Sequence, residues 1–172
     1  MNIIMITGAS SGMGLEFALQ LDNVFDSIDE IWLIARRKEE MLKVAECMEH
    51  TTRILDMDVT NEAHMKRLAH LLQEEKPVIR MLVNCAGYGV MGNFTKLNRK
   101  EELGMIDVNC KALTDMTYLC IPYMRKNSRI IQLASVLLLC HSHILQYMRH
   151  PSLMYTAFQE PYQKNCAAAG FM

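Results

Sequence analysis

Apolar residues along this chain fall into two alternating patterns. Short runs rich in β-branched and large apolar side chains lie at Ile3–Thr7, Glu30–Ala35, Thr52–Asp56, Ile79–Asn84 and Arg129–Ala134. Between them are longer stretches with apolar residues at three- and four-residue steps: Gly12–Val24, Glu39–His50, Glu62–Glu75 and Arg99–Lys126. The strand runs are nearly continuous rather than alternating, as expected of strands covered on both faces. Their repetition with helices predicts an α/β fold: a Rossmann-like, doubly wound parallel sheet of about five strands, with helices on both sides.

The last helical stretch has the most distinct apolar stripe. Leu103, Ile106, Cys110, Leu113, Thr117, Cys120 and Met124 share one face that a sheet would cover. Asn61 ahead of Glu62 predicts an N-cap, and Pro77 closes the loop after the helix that Asn61 starts.

Composition narrows the partners. The chain has 172 residues, 51% of them hydrophobic and 22% charged, which suits one ordinary globular domain. Its net charge of −1 comes without blocks of like charge, so neither nucleic acid nor a membrane surface is expected as a partner. The longest apolar run, near Ile130–Cys140, is too short to span a bilayer. The chain opens straight into Asn2-Ile3-Ile4-Met5-Ile6 with no basic region, so no secretory signal is expected. Six cysteines (47, 85, 110, 120, 140 and 166) form no Cys-x-x-Cys pair and read as buried free thiols in a reducing cytoplasm. Cys140-His141-Ser142-His143 has no second ligand pair at suitable spacing, and no metal site is expected.

The chemistry starts at Thr7-Gly8-Ala9-Ser10-Ser11-Gly12-Met13-Gly14, which follows a buried strand and opens a helix. Gly8 would permit the tight turn, Gly12 would let backbone approach a pyrophosphate, and Gly14 would let helix pack on strand. The helix N-terminus offers unpaired N–H groups and a positive partial charge to phosphates. A glycine turn can open any helix; its place at the first strand–helix junction ties this one to a nucleotide.

These residues, with four further marks in order, resemble the short-chain dehydrogenase/reductase family. Asp58-Val59 follows the third strand, where the family contacts adenine. Asn84-Cys85-Ala86-Gly87 resembles the family's Asn-Asn-Ala-Gly, and Asn109 falls where the family has its catalytic-site asparagine. Arg129-Ile130-Ile131-Gln132-Leu133-Ala134-Ser135-Val136 resembles the strand that ends at the catalytic serine. The resemblance implies hydride transfer between NAD(P)H and a small carbonyl or secondary alcohol of unknown identity, in a family whose members are usually homo-oligomeric. It assigns cofactor contacts to Thr7, Gly8, Ser10, Ser11, Gly12, Met13, Gly14, Arg36, Asp58, Val59, Asn84, Ala86 and Gly87, and catalytic places to Ser135 and Asn109. The second strand ends in Ala35-Arg36-Arg37 rather than in a carboxylate that would hold ribose hydroxyls. A guanidinium suits a 2′-phosphate, which favours NADP over NAD. Tyr88-Gly89-Val90-Met91-Gly92 after the fourth strand either lines the pocket mouth or serves the loop backbone alone.

The resemblance breaks after Val136. The family spaces its serine, tyrosine and lysine as Ser-x12-Tyr-x3-Lys, with the tyrosine as proton donor and the lysine lowering its pKa. From Ser135 those places are held by Met148 and Ser152. Tyr147 stands one place early, and Tyr155 is late and followed by Gln159, which cannot act as an ammonium does. Shifting the reading frame by one base lets the codons of Gln146 to Ser152 spell Val-Tyr-Ala-Ala-Ser-Lys, with tyrosine and lysine at the family spacing. Residues 1–136 therefore read as a dinucleotide-binding domain, and 137–172 as an aberrant, poorly ordered tail from a truncating frameshift. Loss of the family's later elements would expose the outer edge of the last strand and favour aggregation.

Three readings stay open: an active oxidoreductase, a cofactor-binding pseudoenzyme, and a non-functional fragment. The missing tyrosine and lysine favour the fragment over the binder and the binder over the enzyme. The nucleotide sequence across codons 130–172 is expected to show an intact family frame displaced by one base near codons 136–138. A downstream frame lacking the tyrosine–lysine motif would overturn the frameshift.

Overall fold

In a computed structural model of the chain, residues 1–90 and 97–133 are described; Ser135, Val136 and the tail 137–172 lie outside them. The elements alternate as β1 (Asn2–Thr7), α1 (Gly12–Asp22), β2 (Glu30–Ala35), α2 (Lys38–Ala45), β3 (Thr51–Asp56), α3 (Glu62–Glu75) and β4 (Val78–Asn84). A helical rod follows, built from α4 (Arg99–Ile106), a π-helical stretch (Asp107–Ala112) and α5 (Leu113–Cys120). A 3₁₀ turn (Ile121–Tyr123) leads from it into β5 (Met124–Gln132).

The five strands form one sheet in the order β3-β2-β1-β4-β5, every neighbouring pair parallel. Near-continuous apolar strands are explained by what covers each face. Ile3 and Met5 face a core with Met65, Leu68 and Leu72 of α3 and Met116 and Cys120 of α5. Ile4 and Ile6 face the opposite core, with Ala18 of α1 and Met41 and Val44 of α2. Alternate residues of β1 thus feed two different cores, and both must be apolar. This is the doubly wound arrangement that the sequence predicts.

Helix ends follow local chemistry. Asn61 caps α3, its Oδ1 accepting from the N–H groups of Ala63 at 2.9 Å and His64 at 3.3 Å. The rod departs from the expected helix in two ways. Pro122 lies in the 3₁₀ turn, and the chain turns extended at Met124, so Met124 opens β5 instead of ending a helical stripe. Upstream, Leu103 is 44% exposed and Ile106 36%, while Glu102 and Met105 are buried. Met105 and Cys110 are both buried and five residues apart, the step of the intervening π turn, which rotates the buried face. A stripe drawn at uniform helical spacing misses that rotation. Cys47 is also exposed, beyond the end of α2, where a buried thiol was expected.

At the N-terminal end of the sheet, the buried Asp22 carboxylate closes α1 onto the chain entering β3. It accepts from the backbone N–H groups of Glu49 at 2.8 Å and His50 at 3.0 Å, and meets His50 Nδ1 at 2.9 Å. Burial pushes its pKa up, but these hydrogen bonds outweigh burial and hold the carboxyl below the usual carboxylate value. A lowered folded-state pKa stabilises the fold above the unfolded pKa, and that stabilisation is lost as pH falls through the folded value. Asp22→Asn is expected to cost about 1–3 kcal/mol at neutral pH and to flatten the acid side of the stability profile, as read by urea unfolding across pH. An unchanged acid limb would show that Asp22 does not carry it.

Candidate functional site

The strand order reverses direction between β1 and β4, and there the turn after β1 meets the loop after β4. In such sheets the crevice outside the carboxyl ends of the strands, at this switch point, is where ligands bind. A cleft of about 380 Å³ occupies it. Its walls run from Ala35–Arg37 after β2 and Met57–Val59 after β3, across the glycine turn, to Cys85–Tyr88 after β4 and Val108 of the π stretch.

Two glycines make the cleft possible. Gly8 has φ +69°, and a Cβ there would stand 2.8 Å from Ala86 N and from the carbonyl of Cys85. Only a residue without a side chain lets the β1 turn touch the end of β4. Gly12 has φ +56°, yet a Cβ there would meet nothing within 4 Å. Its need is conformational, and the space beside it is free for a ligand. Gly14 packs against the Gly8 carbonyl too closely for any side chain.

The start of α1 is prepared for an anion. Ser11 stands at the N-cap with extended backbone, but its hydroxyl makes no capping bond. By contrast, Asn98 caps α4 and Asn61 caps α3 with their side chains. Ser11 Oγ instead accepts from Arg37 Nη2 at 2.5 Å, and Ser10 Oγ accepts from the same nitrogen at 3.1 Å. The first N–H groups of α1 are thus left without a side-chain acceptor, the condition for phosphate binding at a helix N-terminus. No acidic residue stands in that first turn to oppose an anion.

The sequence singled out Arg36, and the structure shows its neighbour more deeply engaged. Arg36 Nη1 is 3.9 Å from Asp58 Oδ2, with the Arg36 side chain 74% exposed. Arg37 reaches back over the glycine turn onto both serines. Asp58 is locally fixed: Oδ1 accepts from Thr60 N at 2.9 Å and Thr60 Oγ1 at 2.7 Å, and its own N–H donates to His64 Nδ1 at 2.9 Å. Partial burial acts to raise the Asp58 pKa, but the Thr60 hydrogen bonds, with Arg36 and His64 nearby, bring it below the usual value. An ionised Asp58 and Val59 form the wall after β3.

Some sequence candidates lie behind the cleft rather than on it. Thr7 is buried, and its Oγ1 accepts from Cys85 N at 3.1 Å and Ala86 N at 3.0 Å, binding β1 to the β4 end. Asn84 is buried as well; its Nδ2 donates to Gln132 Oε1 at 2.8 Å and Thr117 Oγ1 at 3.2 Å, while its Oδ1 has no hydrogen-bond partner among the described residues. Gln132 Nε2 donates to Thr117 Oγ1 at 3.0 Å, completing a polar knot between β4, β5 and α5. Asn109 sits in the π stretch, its Oδ1 accepting from Tyr88 N at 3.1 Å and its Nδ2 donating to Tyr88 O at 2.9 Å. Both of its amide atoms therefore hold the loop after β4. Ala86 and Gly87 line the cleft beside it.

Cys85 also lines the cleft, and burial pushes its thiol up to about 11, so it stays a neutral thiol at ordinary pH. Among the described residues no group of three or more His, Cys, Asp or Glu is placed to hold a metal ion. No described helix is long and apolar enough to cross a membrane.

Comparison with known proteins agrees with this geometry. The family model described as short chain dehydrogenase matches residues 2–144. The chain belongs to the short-chain dehydrogenase family. An uncharacterised oxidoreductase of Staphylococcus saprophyticus is 33% identical over 138 residues, covering 78% of this chain and 54% of that protein. One from Staphylococcus epidermidis is 29% identical over 136 residues, covering 78% of this chain and 58% of that one. The chain thus spans little more than half the length of these relatives. A short-chain dehydrogenase from Sphingobium yanoikuyae, solved in complex with NADPH, superposes with a TM-score of 0.83 at 20% identity, covering 99% of this chain and 68% of that one. The family binds nicotinamide cofactors, and the residues around this cleft fit one: a glycine-floored opening, an uncapped helix start and two guanidiniums.

The two φ-positive glycines separate folding from binding. Gly8→Ala is expected to destabilise the protein by at least about 3 kcal/mol, since it adds strain and a backbone clash. Gly12→Ala is expected to cost only about 1 kcal/mol of stability while abolishing nucleotide binding, because its Cβ enters the open space. Urea unfolding and nucleotide titration of both variants check this; a Gly12→Ala protein that binds like wild type would contradict it.

Proposed function

We propose that this chain binds NADP(H) in the cleft between β1 and β4, and that it lacks the proton-transfer pair for the family's usual alcohol–carbonyl chemistry. The observation that carries the binding reading is Arg37 bridging Ser10 and Ser11 above the uncapped start of α1. A 2′-phosphate replacing those hydroxyls as acceptor would meet Arg37, with the exposed Arg36 beside it, at the place where an NAD-specific site needs a carboxylate. Gly12 and the first N–H groups of α1 would take the pyrophosphate, Asp58 and Val59 would wall the adenine, and Ala86 and Gly87 would lie along the ribose toward the nicotinamide. Bound nicotinamide supplies a hydride donor or acceptor.

What the chain's own residues can add to catalysis is limited. Ser135, the place of the family's serine, lies outside the described residues. Asn109 acts as a positioning residue through the backbone of Tyr88. The places of the tyrosine and lysine hold Met148 and Ser152, and neither can donate a proton from a tuned phenol. The chain on this reading holds the cofactor without turning over substrate. Free thiols at Cys47, Cys85 and Cys120 suit a reducing, cytoplasmic setting.

Fluorescence titration of the purified chain with NADPH and NADH tests both parts. Wild type is expected to prefer NADPH by about tenfold or more, and Arg37→Ala to lose about tenfold for NADPH while leaving NADH unchanged. A carbonyl panel is expected to give no turnover. Equal affinity for the two nucleotides would overturn the NADP reading, no binding would overturn the binder, and steady turnover would overturn the non-catalytic reading.

A further inference from the structure

One residue in the cleft is held more elaborately than a loop residue requires. Tyr88 follows Gly87 at the β4 end of the cleft, across from Arg36 and Arg37 at the β2 end. Asn109 clamps both backbone polar groups of Tyr88. The phenol hydroxyl donates to the Glu101 carbonyl of α4 at 3.1 Å. That hydroxyl lies so close over Gly104 that a Cβ there would collide with it, and the ring carbon bearing it would be 3.7 Å away. Two residues further on, Val90 N–H donates to Met105 Sδ at 3.2 Å. The loop after β4 is pinned to the rod at three places, and the pins fix the position of an aromatic ring that lines the cleft and is 42% exposed.

Loop stability alone does not call for this. The Asn109 clamp satisfies the backbone of Tyr88 without any particular side chain there. The seat at Gly104 serves the ring itself, and it places a glycine inside a helix at a cost of about 1 kcal/mol relative to alanine. A rigid, half-exposed aromatic at a cleft wall is a surface for a flat ligand.

We propose that Tyr88 is the nicotinamide-positioning residue of this chain: its ring, seated on Gly104 and held by Asn109, forms the wall against which the nicotinamide half of the cofactor packs. The inference rests on the NADP reading above. With the 2′-phosphate at Arg37 and the pyrophosphate at Gly12, the remaining half of the dinucleotide extends along the cleft to the end that Tyr88 walls. The hydroxyl is engaged by Glu101, so the ring makes the contact and the hydroxyl only holds the ring in place.

The test compares NADPH with adenosine 2′,5′-bisphosphate, which carries the phosphates but no nicotinamide, by calorimetric titration of the full chain. Tyr88→Ala and Gly104→Ala are each expected to weaken NADPH about five- to tenfold and to leave the bisphosphate within about twofold, whereas Tyr88→Phe keeps NADPH within about twofold. Alanine favours a helix more than glycine does, so a loss in Gly104→Ala comes from the displaced ring and not from a weakened α4. Unchanged bisphosphate binding reports that each variant is folded. NADPH affinity unchanged in Tyr88→Ala, or parallel loss of both ligands, would overturn the inference. Wild type binding the bisphosphate as tightly as NADPH would overturn it while leaving the NADP reading in place. Wild type binding neither would remove the NADP reading and this inference with it.

Discussion

The whole C-terminal end of the sheet depends on the approach of Gly8 to the backbone of Cys85 and Ala86. Parallel strands β1 and β4 are neighbours, but their following segments diverge, α1 to one face and the rod to the other. Where they part, the first turn must lie against the end of β4, and a side chain at position 8 would hold them apart. The Thr7 hydroxyl secures the same contact, accepting from two N–H groups that β4 leaves unpaired as it ends. Partly buried donors left without partners would cost up to about 1–3 kcal/mol each, so this threonine matters to the fold before it matters to any ligand. The crevice exists because these two segments touch at their base and separate above it.

A second layer of polar contacts supports the first. Asn84, Thr117 and Gln132 join β4, β5 and α5 just beneath the cleft, with the Thr117 hydroxyl donating a hydrogen bond to the Leu113 carbonyl at 2.8 Å. Such a network specifies one arrangement of strands more sharply than apolar packing does. Asn109 does the same for the loop after β4, and the π turn is what aims it. One wide turn displaces the helix face, so that Asn109 reaches Tyr88 while Cys110 and Leu113 remain on the core.

The sequence made the fold class legible because two covered sheet faces demand continuous apolar strands, and those stand out at Ile3–Thr7 and Glu30–Ala35. The glycine turn was legible because its spacing is dictated by backbone geometry. Three things were not. The π turn has no sequence signature in side-chain spacing, so Leu103 and Ile106 were placed on the wrong face. Arg37 and Arg36 are equivalent as letters, and only the direction of the chain leaving β2 brings Arg37 onto Ser10 and Ser11. Thr7 and Asn84 stand inside a motif read as ligand-binding, yet their side chains point at protein partners. A motif marks where a ligand binds, and its buried members are there to hold the others.

The division of labour along the chain explains how a cofactor site and a catalytic site come apart. Among the described residues, the walls of the cleft are supplied by residues up to Val108, from four strand ends and the π stretch. The places of the family's proton-transfer pair come later, at Met148 and Ser152, outside the described residues. Anchoring therefore depends on β1 to β4 and the rod, whose polar groups pair with one another through Thr7, Asn84 and Asn109. The family's proton chemistry depends instead on the later segment that holds Met148 and Ser152 in this chain. On the proposed reading, Met148 and Ser152 in place of tyrosine and lysine remove a proton donor and its tuning charge, while the contacts that shape the crevice come from Gly8, Thr7 and Asn109. On the proposed reading, the cleft geometry of the described residues and the proton chemistry the chain lacks are independent properties, set by different parts of the chain.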